Sequence, residues 1–188
     1  MNHQGTIRLE TNTLLIRRFE ESDSEAMFLN LYNNAEAMRY LPWDPHKNIE
    51  ETCEHLIGYI AAYERKNFYA WAIVPKPLNE PIGFIDTVID NTINAVKVDY
   101  GIGKPWWHNG YTSSALALVI SFLFDMVGVN RIYATHDPRN PNSGKVMEKC
   151  GMIYEGTLRQ TRYRKGEYSD RAMYAILAED FNRQKTRR

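Results

Sequence analysis

The stretch from Val98 to Ala115, V-D-Y-G-I-G-K-P-W-W-H-N-G-Y-T-S-S-A, most constrains what this chain can build. A strand stops at Lys104-Pro105-Trp106-Trp107, crosses a glycine-centred loop and gives way to an apolar helix. A helix N-terminus leaves its first N–H groups without intrahelical partners and carries partial positive charge. His108, Asn109, Gly110, Thr112, Ser113 and Ser114 let an anion approach those groups, so the stretch predicts a phosphate site. The alternative at this point is a glycine turn that merely punctuates strand and helix. Two familiar phosphate patterns fail on spacing. No Gly-x4-Gly-Lys-Ser/Thr string occurs, and after Gly101 and Gly103 the next glycine, Gly110, comes too late for G-x-G-x-x-G.

Composition narrows the partners. The chain has 188 residues, which suits one domain, taken here as 1–188 with a core over about 9–181. Lys+Arg and Asp+Glu both number 23, which argues against a nucleic-acid binder. The local basic excess at Gln184 to Arg188 reads as a solvated, frayed tail. Two widely spaced cysteines, Cys53 and Cys150, make no disulfide framework, and no apolar secretion segment opens the chain. A cytoplasmic location is therefore expected. The apolar run Ala115 to Phe124 falls short of the roughly 20 residues a bilayer needs, so no membrane partner is expected. The five histidines form no H-x-x-x-H or equivalent, and no metal is predicted.

Taken in order, Met1 to Gly5 reads as a disordered start and Leu14 to Phe19 as the first strand. Ser22 and Glu25 have capping-box spacing for a first helix reaching about Asn33. Tyr40, Trp43 and Asp44 lie on a proline-broken loop and are candidates to line a pocket. Asn48 and Glu51 cap a second helix to about Arg65, with Ile49, Cys53, Leu56, Ile57 and Ile60 as its apolar stripe. Strands are predicted at Tyr69–Val74, Ile82–Asp90, Ala95–Gly103, Arg131–Thr135, Met152–Tyr163 and Tyr168–Leu177, and Lys165-Gly166 turns the last hairpin. The helix after Tyr111 ends at Gly128, and Asn140, Pro141 and Gly151 mark the cap, first position and stop of a short helix.

Two motifs carry a resemblance. Trp107, Gly110, Tyr111 and Thr112 resemble the Trp-Gly-x-Gly-Tyr-Ala/Thr loop of the RimJ/RimL-like branch of the GNAT acetyltransferases. The broader Gln/Arg-x-x-Gly-x-Gly/Ala signature is met at Gly110 alone, with Trp107 and Thr112 replacing its ends. Asn140, Ser143, Glu148, Lys149 and Gly151 match, in register, the branch's Asn-x-x-Ser and Glu-Lys-Leu-Gly-Phe elements. Tyr154 to Arg159 is similar to its x-Glu-Gly-x-Leu-Arg strand.

The resemblance implies an α+β fold: a mixed, mostly antiparallel seven-stranded sheet with about four helices, strands four and five splayed apart. It implies acetyl-CoA as donor and an amine acceptor, as monomer or homodimer. Pantetheine would pair with Tyr100, Gly101 and Ile102, and backbone from Trp107 through His108, Asn109, Gly110, Tyr111, Thr112 and Ser113 would hold the pyrophosphate. Ser143 would act as general acid or as hydrogen-bond donor to the departing sulfur, and Asn140 would bond pantetheine or order a water. The base stays open: Lys97 stands where the family often has Glu, with Asp99, Asp44, Glu155 and Asp170 as further candidates, or water alone. The acceptor is expected near Tyr40 to Lys47 and Arg162 to Asp170, with Tyr40, Trp43, Asp44 and Asp170 as contacts. The departures at Trp107, Lys97 and Ser114 leave a second possibility, an acetyl-CoA-binding sensor or scaffold without turnover.

Overall fold

Eight strands and five α-helices are present in a computed structural model that describes residues 1–164 and 166–186. The strands β1 (Leu9–Glu10) and β2 (Leu14–Arg17) are followed by a helical stretch containing α1 (Ser24–Met27), which continues as a π-turn to Tyr32. Next come α2 (Ile49–Ala62), β3 (Ala70–Pro75), β4 (Gly83–Asp90), β5 (Ala95–Ile102), α3 (Tyr111–Phe122) and β6 (Arg131–His136). The chain continues through α4 (Pro141–Lys149), β7 (Ile153–Arg164), β8 (Glu167–Leu177) and α5 (Ala178–Thr186). The sheet order is β1-β2-β3-β4-β5-β6-β8-β7. The pairs β1–β2, β2–β3, β3–β4, β6–β8 and β7–β8 are antiparallel, and β5 runs parallel to β6. That parallel register covers Ala95↔Arg131 to Lys97↔Tyr133.

The chain divides into two compact units. One holds residues His3–Thr87 and Tyr100–Val119; the other holds Met1–Asn2, Val88–Asp99 and the chain from Ile120 onward. In the first unit β3 is buried along its whole length, in keeping with its continuous apolar run. Phe19, Met27, Leu31, Tyr32, Leu56, Tyr63 and Phe84 pack with it as one core. Asn48 caps α2 as predicted, its side chain accepting from Glu51 N–H at 2.9 Å, while Glu51 accepts from Lys47 N–H at 2.9 Å. In the second unit Gly128 ends the helical stretch with φ +73°, and Gly151 follows α4 with φ +80°.

Several expectations are corrected. The first helix is capped two residues earlier than Ser22, by a reciprocal box of Glu20 and Asp23. The buried side of α2 is Thr52, Leu56 and the following Tyr63, while Ile49 and Ile57 face solvent. Burial of Thr52 is possible because its hydroxyl meets His46 Nδ1 at 2.8 Å. Met1 to Gly5 is tied down rather than disordered: Asn2 N–H donates to Val127 O at 2.7 Å and Gly5 N–H to Lys66 O at 2.8 Å. Gln184 to Thr186 form the last turn of α5, with Lys185 paired to Asp125 at 2.7 Å and Phe181 stacked on Phe124 at 4.9 Å. Arg187 and Arg188 of the predicted tail, and Lys165 of the predicted hairpin turn, lie outside the described residues.

Candidate active site

The end of β5 is shaped by close backbone approaches. A Cβ on Gly83 would stand 2.3 Å from Gly101 O, and one on Gly103 would stand 1.9 Å from Asn30 O. A Cβ on Gly101 would strike Phe84 at 2.7 Å and Leu41 at 3.1 Å. Protein packing therefore requires glycine at 101, whatever approaches from the other side. The loop then turns back: Trp107 Nε1–H donates to Ile102 O at 3.0 Å, and the half-buried indole pins the loop to the strand end. His108 and Gly110 have left-handed φ values of +64° and +79°. A non-glycine residue there is an uncommon, strained choice, and such residues cluster at ligand sites.

The helical ladder of α3 starts with Ser114 N–H donating to Gly110 O at 3.0 Å, so the preceding N–H groups lie at the open end of the helix. Thr112 and Ser113 are buried, and Ser113 Oγ donates to Gly110 O at 2.9 Å, holding the first turn. No acidic residue stands in that turn. His108 and Asn109 are exposed, Tyr111 is half-buried, and Tyr100 and Ile102 are half-buried on β5. The chain thus offers a narrow backbone cradle with positive potential and small neighbours, suited to a diphosphate.

In the second unit α4 begins at Pro141. Asn140 occupies the cap position, but its side chain makes no cap hydrogen bond, contrary to expectation. The turn before it is fixed by other means. Asp137, buried, accepts from Arg139 N–H at 2.9 Å and from its guanidinium at 2.7 and 3.0 Å, and this pairing holds the carboxyl below the usual range. His136 Nδ1 lies 2.8 Å from Asp137 O, a carbonyl that can only accept, so Nδ1 is the donor. Ser143 is half-buried in the first turn of α4, its N–H donating to Asn140 O at 3.2 Å. Burial pushes the Cys150 thiol up to about 12, so it is not a nucleophile at neutral pH.

The base candidates are engaged. Lys97 Nζ donates to both oxygens of Asp99, at 2.6 and 2.8 Å. Glu155 is bound by the Arg131 guanidinium. Asp170 accepts from Gln160 N–H at 2.9 Å, where β7 bulges and Gln160 has φ +51°. Asp44 is exposed. Trp43 packs against Tyr32, His55 and Phe84 with centroid separations of 6.5, 5.2 and 5.8 Å, and the Arg39 guanidinium lies over the Tyr40 ring at 5.5 Å.

The sequence missed the surroundings of Trp43. Tyr32, wholly buried, stacks on His46 at 4.6 Å and meets His55 at 5.3 Å, and Tyr59 OH donates to Asp86 at 2.6 Å. Burial pushes the His55 imidazole down to about 4. Among the described residues no group of three or more His, Cys, Asp or Glu is placed to hold a metal ion. No helix among them is long and apolar enough to cross a membrane.

A mixed sheet with one parallel pair, and a glycine loop at a helix start between its two strands, fits the acyltransferase architecture that the sequence motifs resemble. Comparison with known proteins makes this specific. The acetyltransferase (GNAT) domain profile matches residues 13–153, and the chain belongs to that family. It is 30% identical over 170 residues to the uncharacterized N-acetyltransferase YoaA of Bacillus subtilis (strain 168), covering 90% of this chain and 96% of that one. It is 24% identical to the [ribosomal protein uS5]-alanine N-acetyltransferase of Escherichia coli (strain K12), covering 93% of each. Among solved structures it superposes on RimL, a ribosomal L7/L12 α-N-protein acetyltransferase in complex with coenzyme A. That match has a TM-score of 0.81 at 23% identity and covers 91% of this chain and 98% of that one. The chain is a RimJ/RimL-like GNAT N-acetyltransferase that uses acetyl-CoA as donor.

Proposed function

We propose that the protein moves the acetyl group of acetyl-CoA directly to a primary amine, with both substrates bound at once. The backbone of His108 to Ser113 grips the pyrophosphate, and pantetheine lies along Tyr100 to Ile102 as an added strand. The neutral amine attacks the thioester carbonyl, and a β5 N–H stabilises the oxyanion. The C–S bond then breaks, and Ser143 Oγ–H gives its proton to the departing sulfur, regaining one from solvent. Asn140, whose amide is not spent on a cap, bonds pantetheine or orders a water. Asp99 acts as the counter-ion of Lys97 and not as the base, which leaves the amine's proton to water. The observation that carries this reading is the loop with left-handed residues at 108 and 110, which feeds the open end of α3.

The test combines two variants. Ser143→Ala lowers kcat by about 10²-fold with the KM for acetyl-CoA little changed, as loss of a general acid predicts. Gly110→Val raises the KM for acetyl-CoA, since a β-branched residue resists φ near +79°. An unchanged rate and pH profile in Ser143→Ala would remove Ser143 from the mechanism. Unchanged stabilisation of Gly110→Val by coenzyme A would remove the cradle.

A further inference from the structure

The rings of Trp43, His46, His55 and Phe84 gather around Tyr32. Neighbouring polar atoms are engaged: Tyr59 OH donates to Asp86 at 2.6 Å, and His46 Nδ1 lies 2.8 Å from Thr52 Oγ1. Tyr63 OH, in the same core, both donates and accepts. Tyr32 Oη and His55 Nε2 differ. Both atoms are sealed from solvent and make no hydrogen bond among the described residues. Their rings are neighbours, with centroids 5.3 Å apart. A buried polar atom without a partner costs stability, and a phenylalanine at position 32 would avoid that cost. Two such atoms on adjacent rings point to a group that joins them from outside the fold.

The pair lies beside the end of β5. Phe84 occupies the space that a Cβ on Gly101 would need, at 2.7 Å, and Leu41 closes the same side at 3.1 Å. The Phe84 ring lies 6.4 Å from that of Tyr32 and 5.8 Å from that of Trp43. Tyr32, Leu41, Trp43, His55, Phe84 and Gly101 all belong to the compact unit that carries the donor loop. Trp43 packs on both members of the pair, at 6.5 and 5.2 Å. It stands half-buried on a stretch, 41–48, that is neither helix nor strand.

The chemistry of the pair selects its partner. A phenol hydroxyl donates and accepts, and a neutral imidazole offers one donor and one acceptor nitrogen. Burial pushes the His55 imidazole down to about 4, so it is uncharged near neutral pH. The surrounding rings would strip water from an ion placed there, a cost that neither group offsets with charge. The complement is an uncharged group that both donates and accepts, a hydroxyl or a primary amide.

We propose that Tyr32 Oη and His55 Nε2 bind an uncharged hydroxyl or amide group of the acceptor amine, with Trp43 moving aside to admit it. The proposal rests on the amine-acetylating reading above and narrows its substrate to amines that carry such a group near the nitrogen. Amines of the same size bearing a carboxylate or a second ammonium are disfavoured.

The test measures kcat/KM, expressed per neutral amine, at saturating acetyl-CoA for size-matched pairs. Ethanolamine with propylamine reads the hydroxyl, and glycinamide with isobutylamine reads the amide. Glycine and ethylenediamine are the charged arms. Thiol release and acetylated product are read together. The polar amine of at least one pair is preferred over its apolar partner and over both charged amines, and the pair that shows this separates hydroxyl from amide. Tyr32→Phe lowers that preference by about two- to ten-fold, the worth of one neutral hydrogen bond, while the urea midpoint of the free protein rises. A general loss of packing would lower both. His55→Leu lowers the same preference. In a crystal soaked with the preferred amine and coenzyme A, the polar group lies within hydrogen-bond distance of both atoms. Equal use of polar and apolar partners overturns the proposal, as does preference for glycine or ethylenediamine. An unchanged preference in Tyr32→Phe, or a water bridging the two atoms in the soaked crystal, overturns it too. Absence of transfer to every amine, with thiol release absent as well, instead overturns the transferase reading beneath it.

Discussion

Three tyrosines in one core meet three different fates, and the same substitution should change sign among them. Tyr32 is wholly buried, and its hydroxyl makes no hydrogen bond among the described residues. Tyr63 OH donates to Ala70 O at 2.9 Å and accepts from Phe19 N–H at 3.0 Å. Tyr59 OH donates to the Asp86 carboxylate at 2.6 Å. Burying an unsatisfied hydroxyl costs about 1–3 kcal/mol, whereas a satisfied one contributes about 1 kcal/mol and one bonded to a charge about 1.5–3. Tyr32→Phe therefore stabilises the protein by about 1 kcal/mol, raising Tm by roughly 2–4 °C. Tyr63→Phe destabilises it by about 1–3 kcal/mol, because it also strands the Phe19 N–H. Tyr59→Phe destabilises it by about 2 kcal/mol. Urea titrations read each as a shift in midpoint at constant slope. If Tyr32→Phe costs as much as Tyr63→Phe, the Tyr32 hydroxyl has a partner and the assignment of a buried orphan is wrong.

Three further outcomes follow from individual contacts. The folded His55 imidazole titrates near 4, below the ordinary 6.5, so between those values the unfolded chain binds a proton that the folded chain refuses. Stability present above about pH 6.5 is thus lost as pH falls toward 4. His46, also lowered by burial, adds to the loss, and His55→Gln flattens this slope in urea midpoints measured across the window. Trp107→Phe removes the 3.0 Å bond to Ile102 O and raises the KM for acetyl-CoA by roughly five-fold, about 1 kcal/mol, in steady-state assays; an unchanged KM would show that the loop stands without it. Phe181→Ala strips the ring stacked on Phe124 and costs about 3 kcal/mol by thermal or urea unfolding, whereas a merely frayed tail would lose nothing.

Elements with punctuation at their ends were legible in the sequence. Asn48 with Glu51, Gly128, and Pro141 with Gly151 mark boundaries by local chemistry, and the chain uses them as written. Elements held by distant contacts were not. The two-residue β1 exists because Leu9 and Glu10 pair with Ile16 and Leu15. The helix α5 carries one large apolar residue, so its sequence reads as a polar tail until Phe124 and Asp125 supply partners. Its local clue was the i,i+4 pair of Glu179 and Arg183. On α2 the predicted apolar stripe was half right: Leu56 and Ile60 meet the core, while Ile49 and Ile57 do not and Thr52 takes a buried place. Thr52 could be buried because His46 satisfies its hydroxyl, and Tyr63 because Phe19 and Ala70 satisfy its own.

The same distinction separates the donor loop from the last hairpin. The proposed cradle is local: a run of loop residues and the first turn of α3 would make it, so residues 107 to 113 are enough to suggest it. The shared face of Arg162 and Arg171 depends on register. Eight residues lie between the two arginines in sequence, and an unbroken hairpin would pair Arg171 with another neighbour than the one it meets. The bulges at Gly156 and Gln160 set that pairing; Gln160 is held by Asp170, a residue that the sequence offered as a substrate contact. Asp170 thus holds the bulge in place. Asp170→Ala should cost about 1 kcal/mol in urea unfolding, because it removes the acceptor of the Gln160 N–H at a backbone position of φ +51°. A midpoint identical to that of the unaltered protein would show that the strand pairing alone holds that register.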